Sequence, residues 1–208
     1  MKYAGRWASL GIALVACATP ASRDAATSRN EAGDSAVLPA TSGYVDSAIS
    51  IEEALRRFRR DHLEPRELEG GLPSRDRLVK AFVQALEVRD TAALRRMVLR
   101  AGEFAWLYYP SSPLSKPPYE LPPALMWFQM QGQSEKGASL LLAERAGGGL
   151  GYLGHTCATA RREGDNRIYG HCVLRRVSAG GDTLAEPLFG LILERGGSYK
   201  FVSYSNKL

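Results

Sequence analysis

Gly154–Arg176, GHTCATARREGDNRIYGHCVLRR, contains two Gly-His pairs, each with a cysteine close behind. A hairpin centred on Gly164-Asp165 sets Glu163 opposite Asn166, Arg161 opposite Ile168 and Thr159 opposite Gly170. Carried outward, the same register puts Cys157 opposite Cys172 and His155 opposite Leu174. Opposed residues share a face, with Cβ atoms about 4.5–5.5 Å apart, and a disulfide needs only slightly less, about 3.5–4.5 Å. The competing reading is a zinc site, whose ligands must converge tetrahedrally. His171 adjoins Cys172, so strand alternation turns it to the other face, with Tyr169 and Val173. At most His155, Cys157 and Cys172 then converge. Two unpaired thiols are the third alternative. The register favours a Cys157–Cys172 disulfide and gives no reason to expect a metal or cofactor.

Turn sequences AGGD and RGGS divide the C-terminal part of the chain, giving four strands at about 150–161, 167–178, 186–195 and 198–205. Upstream the period changes to that of helices. Ser50 can cap a helix from Ile51 to about Leu63, with Ile51, Leu55, Phe58 and His62 on one face and Pro65 beyond its end. Ser74 can cap a second, whose apolar face is Leu78, Phe82, Ala85 and Leu86. Asp90 or Thr91 can cap a third, which packs Leu94, Met97 and Val98. EFAWLYYP, bounded by Pro110, reads as an aromatic strand. A proline-rich loop comes next, and then a helix over 124–145 that Gly132 or Gly137 can bend. Helices, a strand, a helix and an antiparallel meander make an α+β chain in which helices cover one face of the sheet.

Two stretches resemble a known family. RLVKAFVQALEVRDTAALRRM resembles the opening helices of NTF2-like (SnoaL-like) domains, and PLFGLILERGGSYKFVSYS resembles their closing hairpin. The resemblance covers about residues 72–205. It implies N-terminal helices packed on a curved antiparallel sheet that forms a cone around a cavity. It carries no catalytic motif, because that fold serves isomerases, cyclases, dehydratases and non-catalytic binding modules alike.

The N-terminus, MKYAGRWASLGIALVACATP, has a basic start at Lys2 and Arg6 and an apolar run from Trp7 to Ala16. That run is short for a membrane span, which needs roughly 20 residues, and suits a secretion signal. Its ending, LVAC, resembles a bacterial lipobox, which implies cleavage after residue 16 and lipidation of Cys17. An ordinary signal peptide with a chance cysteine is the alternative. The expected organisation is a signal peptide at 1–16, Cys17 and a flexible tether at 17–45, an N-terminal helical segment at 46–71 and the NTF2-like domain at 72–208. The tether, rich in Ala, Ser, Thr, Gly and Pro, would reach roughly 30 Å as a coil. The protein is expected to be exported and lipid-anchored, at the outer membrane facing the periplasm if the cell is Gram-negative. An exported chain with one cysteine pair left over fits the disulfide.

The net charge is +5, from which loss of Lys2 and Arg6 takes two, too little to argue for a nucleic-acid partner. Glu52, Glu53, Asp61 and Glu64 offset the cluster Arg56, Arg57, Arg59 and Arg60, so a solvated helix face is favoured over contact with anionic lipid. GLGYLG at Gly149–Gly154 has the spacing of a dinucleotide loop, but it follows a helix and opens a strand, the reverse of the order that places phosphate at a helix N-terminus.

The candidate site residues are few. His171 and Tyr108 are the candidates for acid/base work, while Trp106, Tyr108, Tyr109, Trp127 and Phe128 are candidates to line a pocket. Three functions remain open. The favoured one is a non-catalytic binding or accessory module holding a small apolar ligand or part of an envelope protein. The others are a SnoaL-like acid/base enzyme and a structural envelope lipoprotein. An open cavity in which His171 or Tyr108 meets a carboxylate would favour the enzyme.

Overall fold

The computed structural model describes residues 49–204, which belong to one compact unit. The expected signal peptide, Cys17 and the expected tether lie outside the described residues. None of the described helices is long and apolar enough to cross a membrane.

Among the described residues there are five α-helices: α1 (Ile51–Arg59), α2 (Arg75–Glu87), α3 (Thr91–Met97), α4 (Ala101–Glu103) and α5 (Pro123–Glu144). Side chains cap the first three. The Ser50 hydroxyl accepts from the Glu53 amide, Ser74 from Arg77, and the Asp90 carboxylate from Ala93. Each satisfies a backbone donor that the helix itself leaves free. α1 stops earlier than its pattern suggests, because its would-be last turn is used elsewhere. The His62 carbonyl accepts from the Trp106 indole, and Arg59 reaches across to the Ala105 carbonyl. α5 runs unbroken through Gly132 and Gly137.

The expected aromatic strand at EFAWLYYP is helical instead. α4 continues into a π-helical turn at Phe104–Tyr108 and a 3₁₀ turn at Tyr109–Ser111. Tertiary context overrides β propensity here. Glu103 starts the helix by accepting from the amides of Arg100 and Glu69. Phe104, Ala105, Leu107, Tyr108 and Tyr109 are then all buried, a pattern that strand alternation would not produce. Glu103 also holds the fully buried Lys200 at 2.8 and 3.0 Å, and Lys200 donates further to the Glu69 carbonyl. Burial lowers the Lys200 pKa, and the Glu103 carboxylate draws it back up.

The described residues also form seven strands: β1 (Tyr152–Thr156), β2 (Arg161–Glu163), β3 (Asn166–Tyr169), β4 (Val173–Val177), β5 (Thr183–Glu186), β6 (Ile192–Arg195) and β7 (Ser198–Phe201). They form two antiparallel sheets, β1-β4-β5 and β2-β3-β6-β7. The hairpin register is the one expected, with Glu163 opposite Asn166, Arg161 opposite Ile168 and His155 opposite Leu174. What differs is continuity, since each of the first three long strands breaks between one sheet and the other. The breaks contain residues suited to them: His171 is left-handed at φ 48°, and the third break holds Pro187 and Gly190.

The four-stranded sheet is covered on both faces. Adjacent Ile192 and Leu193 on β6 point to opposite sides. Ile192 joins a core with Leu78, Phe82, Leu86 and Leu174, while Leu193 joins one with Phe104, Tyr109, Met126 and Ile168. α5 belongs to both, through Met126 near its start and Leu141 near its end. The fold is α+β, with helices against two antiparallel sheets.

Candidate functional site

A cavity of about 740 Å³ opens where the strands break, with the first half of α5 as its other wall. Met126, Met130, Ile168, Phe189, Leu191 and Val202 give it an apolar lining. Tyr108, Gln129, Gln133, Thr159, Arg161 and His171 supply its polar groups. An apolar concavity with a few convergent polar groups is the usual character of a small-molecule site.

The fold brings both acid/base candidates to this cavity. His171 is exposed at its edge, and its left-handed backbone breaks the alternation that would have turned it away from Cys172, so the two residues line the same space. Tyr108 is buried in the wall, and burial first, then the charge of Glu163, pushes its phenol up to about 12. It is therefore neutral at physiological pH and is a hydrogen-bonding group rather than a base.

Cys157 and Cys172 are joined in a disulfide, S–S 2.05 Å, at the level of the break, which ties the two bent strands together beside the cavity. This takes both sulfurs out of the ligand set the zinc reading needed. Among the described residues no three His, Cys, Asp or Glu side chains converge on a metal-sized site. His155 is elsewhere, on β1, with Nδ1 2.9 Å from the Tyr152 hydroxyl. Burial, then the neighbouring Arg75, lowers its pKa.

The aromatic candidates separate. The Tyr109 hydroxyl donates to the Leu121 carbonyl at 2.7 Å, so this ring is core. Trp106 lies under the Arg59 guanidinium, 4.0 Å from the ring centre, and borders a shallow depression with Leu55 and Arg60. Trp127 packs against Phe104 with its ring tilted by 42° and lines a second cavity, across α5 from the first. Phe128 is 74% exposed and lines none of these spaces.

Two residues of the site, Arg161 and Met130, and one beside it, Glu163, carry no motif in the sequence. Arg161 lines the cavity from β2, and its Nε donates to Oε1 of the neighbouring Glu163 at 2.5 Å. Glu163 is buried, and its other oxygen has no hydrogen-bond partner. The hairpin register already put both on the face of Ile168, a signal that they could turn inward. Met130 gave no signal, since its place between two cavities depends on how α5 crosses the sheets.

Comparison with family models, with curated proteins and with solved structures finds no match to this chain.

Proposed function

We propose that the protein is an exported bacterial lipoprotein, anchored through Cys17, whose ordered unit is an NTF2-like (SnoaL-like) binding module for a small apolar ligand. The observation that carries this reading is the cavity at the strand breaks, apolar over most of its wall and open to solvent at Thr159, Arg161 and His171. The lipobox at Leu14–Cys17 supports the anchor, and the Cys157–Cys172 bond fits an oxidising compartment. The order of helices, bent hairpin and closing hairpin supports the family assignment.

The polar groups favour binding over catalysis. An acid/base pair needs a base within about 2.6–3.2 Å of its partner. Among the described hydrogen bonds, neither His171 nor Tyr108 has a carboxylate partner. Glu163 reaches Tyr108 through its charge, and its one donor is Arg161.

The test is native mass spectrometry of the protein extracted from membranes, beside a Thr159→Trp variant whose indole would fill the mouth. The expected result is a stoichiometric small apolar species that the variant loses. A species retained by Thr159→Trp, or none in either protein, would overturn the reading.

A further inference from the structure

α5 is most deeply buried towards its two ends and is flanked by open space between them. Pro123 and Met126 are buried at its start, Gly137 and Leu141 further along, and no residue between Met126 and Gly137 is buried. That interval is nearly three helical turns. Within it the Ser134 hydroxyl accepts from the Tyr204 amide at 3.0 Å. On one side of the span lies the cavity at the strand breaks; on the other lies the second cavity, of about 600 Å³, with Leu94, Val98, Trp127 and Leu142 in its wall beside polar Arg95, Gln131 and Glu135.

Met130 of α5 and Val202, just after β7, border both cavities. They are the partition between the two spaces. A thioether side chain with three rotatable bonds is an adaptable partition, and Met130 is only half-buried. The polar groups at the first mouth, Thr159, Arg161 and His171, are exposed, whereas Met126 and Val202, deeper in its wall, are buried. The first cavity is thus apolar at depth and polar at its opening.

We propose that the two cavities are halves of one passage beneath α5, and that it takes the unbranched alkyl chain of a single-chain amphiphile, with the head group held at Thr159, Arg161 and His171. This rests on the binding-module reading and specifies its ligand class. A chain that passes under a helix about 10–12 Å across must outreach the first cavity, so the passage selects for chain length. A compact apolar ligand would occupy the first cavity alone.

The full chain carrying Cys17→Ser, handled without detergent, is titrated calorimetrically with hexanol, decanol and tetradecanol. Affinity should rise about fourfold per added methylene, the transfer value for an alkyl chain, across the whole series. Chains brominated at the terminal carbon report where the tail lies. Long ones should quench Trp127, which lines only the far cavity, and short ones should not, with Trp127→Phe removing the signal. Met130→Phe, a stiffer partition, should keep hexanol binding and abolish the gain from longer chains. Met130→Ala, a smaller one, should keep both. An affinity that stops rising after hexanol, with Trp127 unquenched at every length, would overturn the passage while leaving the first cavity as a binding site. Absence of hexanol binding would overturn the binding module itself, and the passage with it.

Discussion

Lys200 and Glu103 offer the sharpest test of how this fold is held together. Both are essentially inaccessible, at 0% and 1% exposure. The carboxylate receives two ammonium contacts and two backbone amides, from Glu69 and Arg100. The ammonium group also donates to the Glu69 carbonyl. The pair therefore joins the segment before α2, the start of α4 and the strand β7. Lys200→Met would leave a buried carboxylate with its two amide donors and no countercharge. Breaking a buried pair in this way costs about 3–5 kcal/mol, because the remaining charge keeps its desolvation penalty, and a domain has only about 5–15 kcal/mol of stability in total. The double variant Glu103→Gln/Lys200→Met removes both charges while the glutamine still has a carbonyl oxygen to accept an amide, so it should lose less than the single variant. Urea unfolding followed by circular dichroism measures both. A Lys200→Met variant within about 1 kcal/mol of the parent, or a double variant no more stable than the single one, would refute the argument.

Other outcomes rest on the same geometry. Cys157→Ser/Cys172→Ser opens a loop of sequence separation 15 and should cost about 3 kcal/mol in urea unfolding by the loop-entropy account; an unchanged midpoint would show the hairpin holds without its staple. The Glu186 carboxyl is held below its usual range by the hydrogen bond from Arg176, so the folded state binds fewer protons than the unfolded chain as acid is added. Its contribution is complete above the unfolded value and is lost as pH falls through the lowered folded one; Glu186→Gln should flatten that part of the acid unfolding profile, and an unaltered profile would remove Glu186 from the account. Cys17→Ser should abolish labelling by a lipid precursor and retention in the membrane fraction, and undiminished retention would sink the anchor.

Local rules were enough for much of the structure. Ser50, Ser74 and Asp90 announce three helix starts because a cap depends on a side chain and an amide only a few residues away. The turn at Gly164-Asp165 fixes the hairpin register, and that register brings Cys157 to Cys172, because pairing propagates residue by residue along two strands. The strand breaks were not legible. A left-handed His171 is rare for a non-glycine residue and is imposed by the surrounding sheets. EFAWLYYP misled for a related reason, since its aromatics suit a strand until Glu103, Lys200 and Glu69 draw the segment into a helix. The candidate site was legible in its members and not in its arrangement. His171, Cys172 and Tyr108 could be named, but only the folded chain puts them around one cavity.

The sequence by itself determined the α+β class, the helix caps, the hairpin register and the disulfide, all of which rest on spacing within a few residues or on pairing that propagates from one turn. Tertiary structure alone decided the division into two sheets, the buried Lys200–Glu103 pair and the open space on both sides of α5. These depend on residues as far as 131 positions apart, and no periodicity records which of them the packed chain brings together.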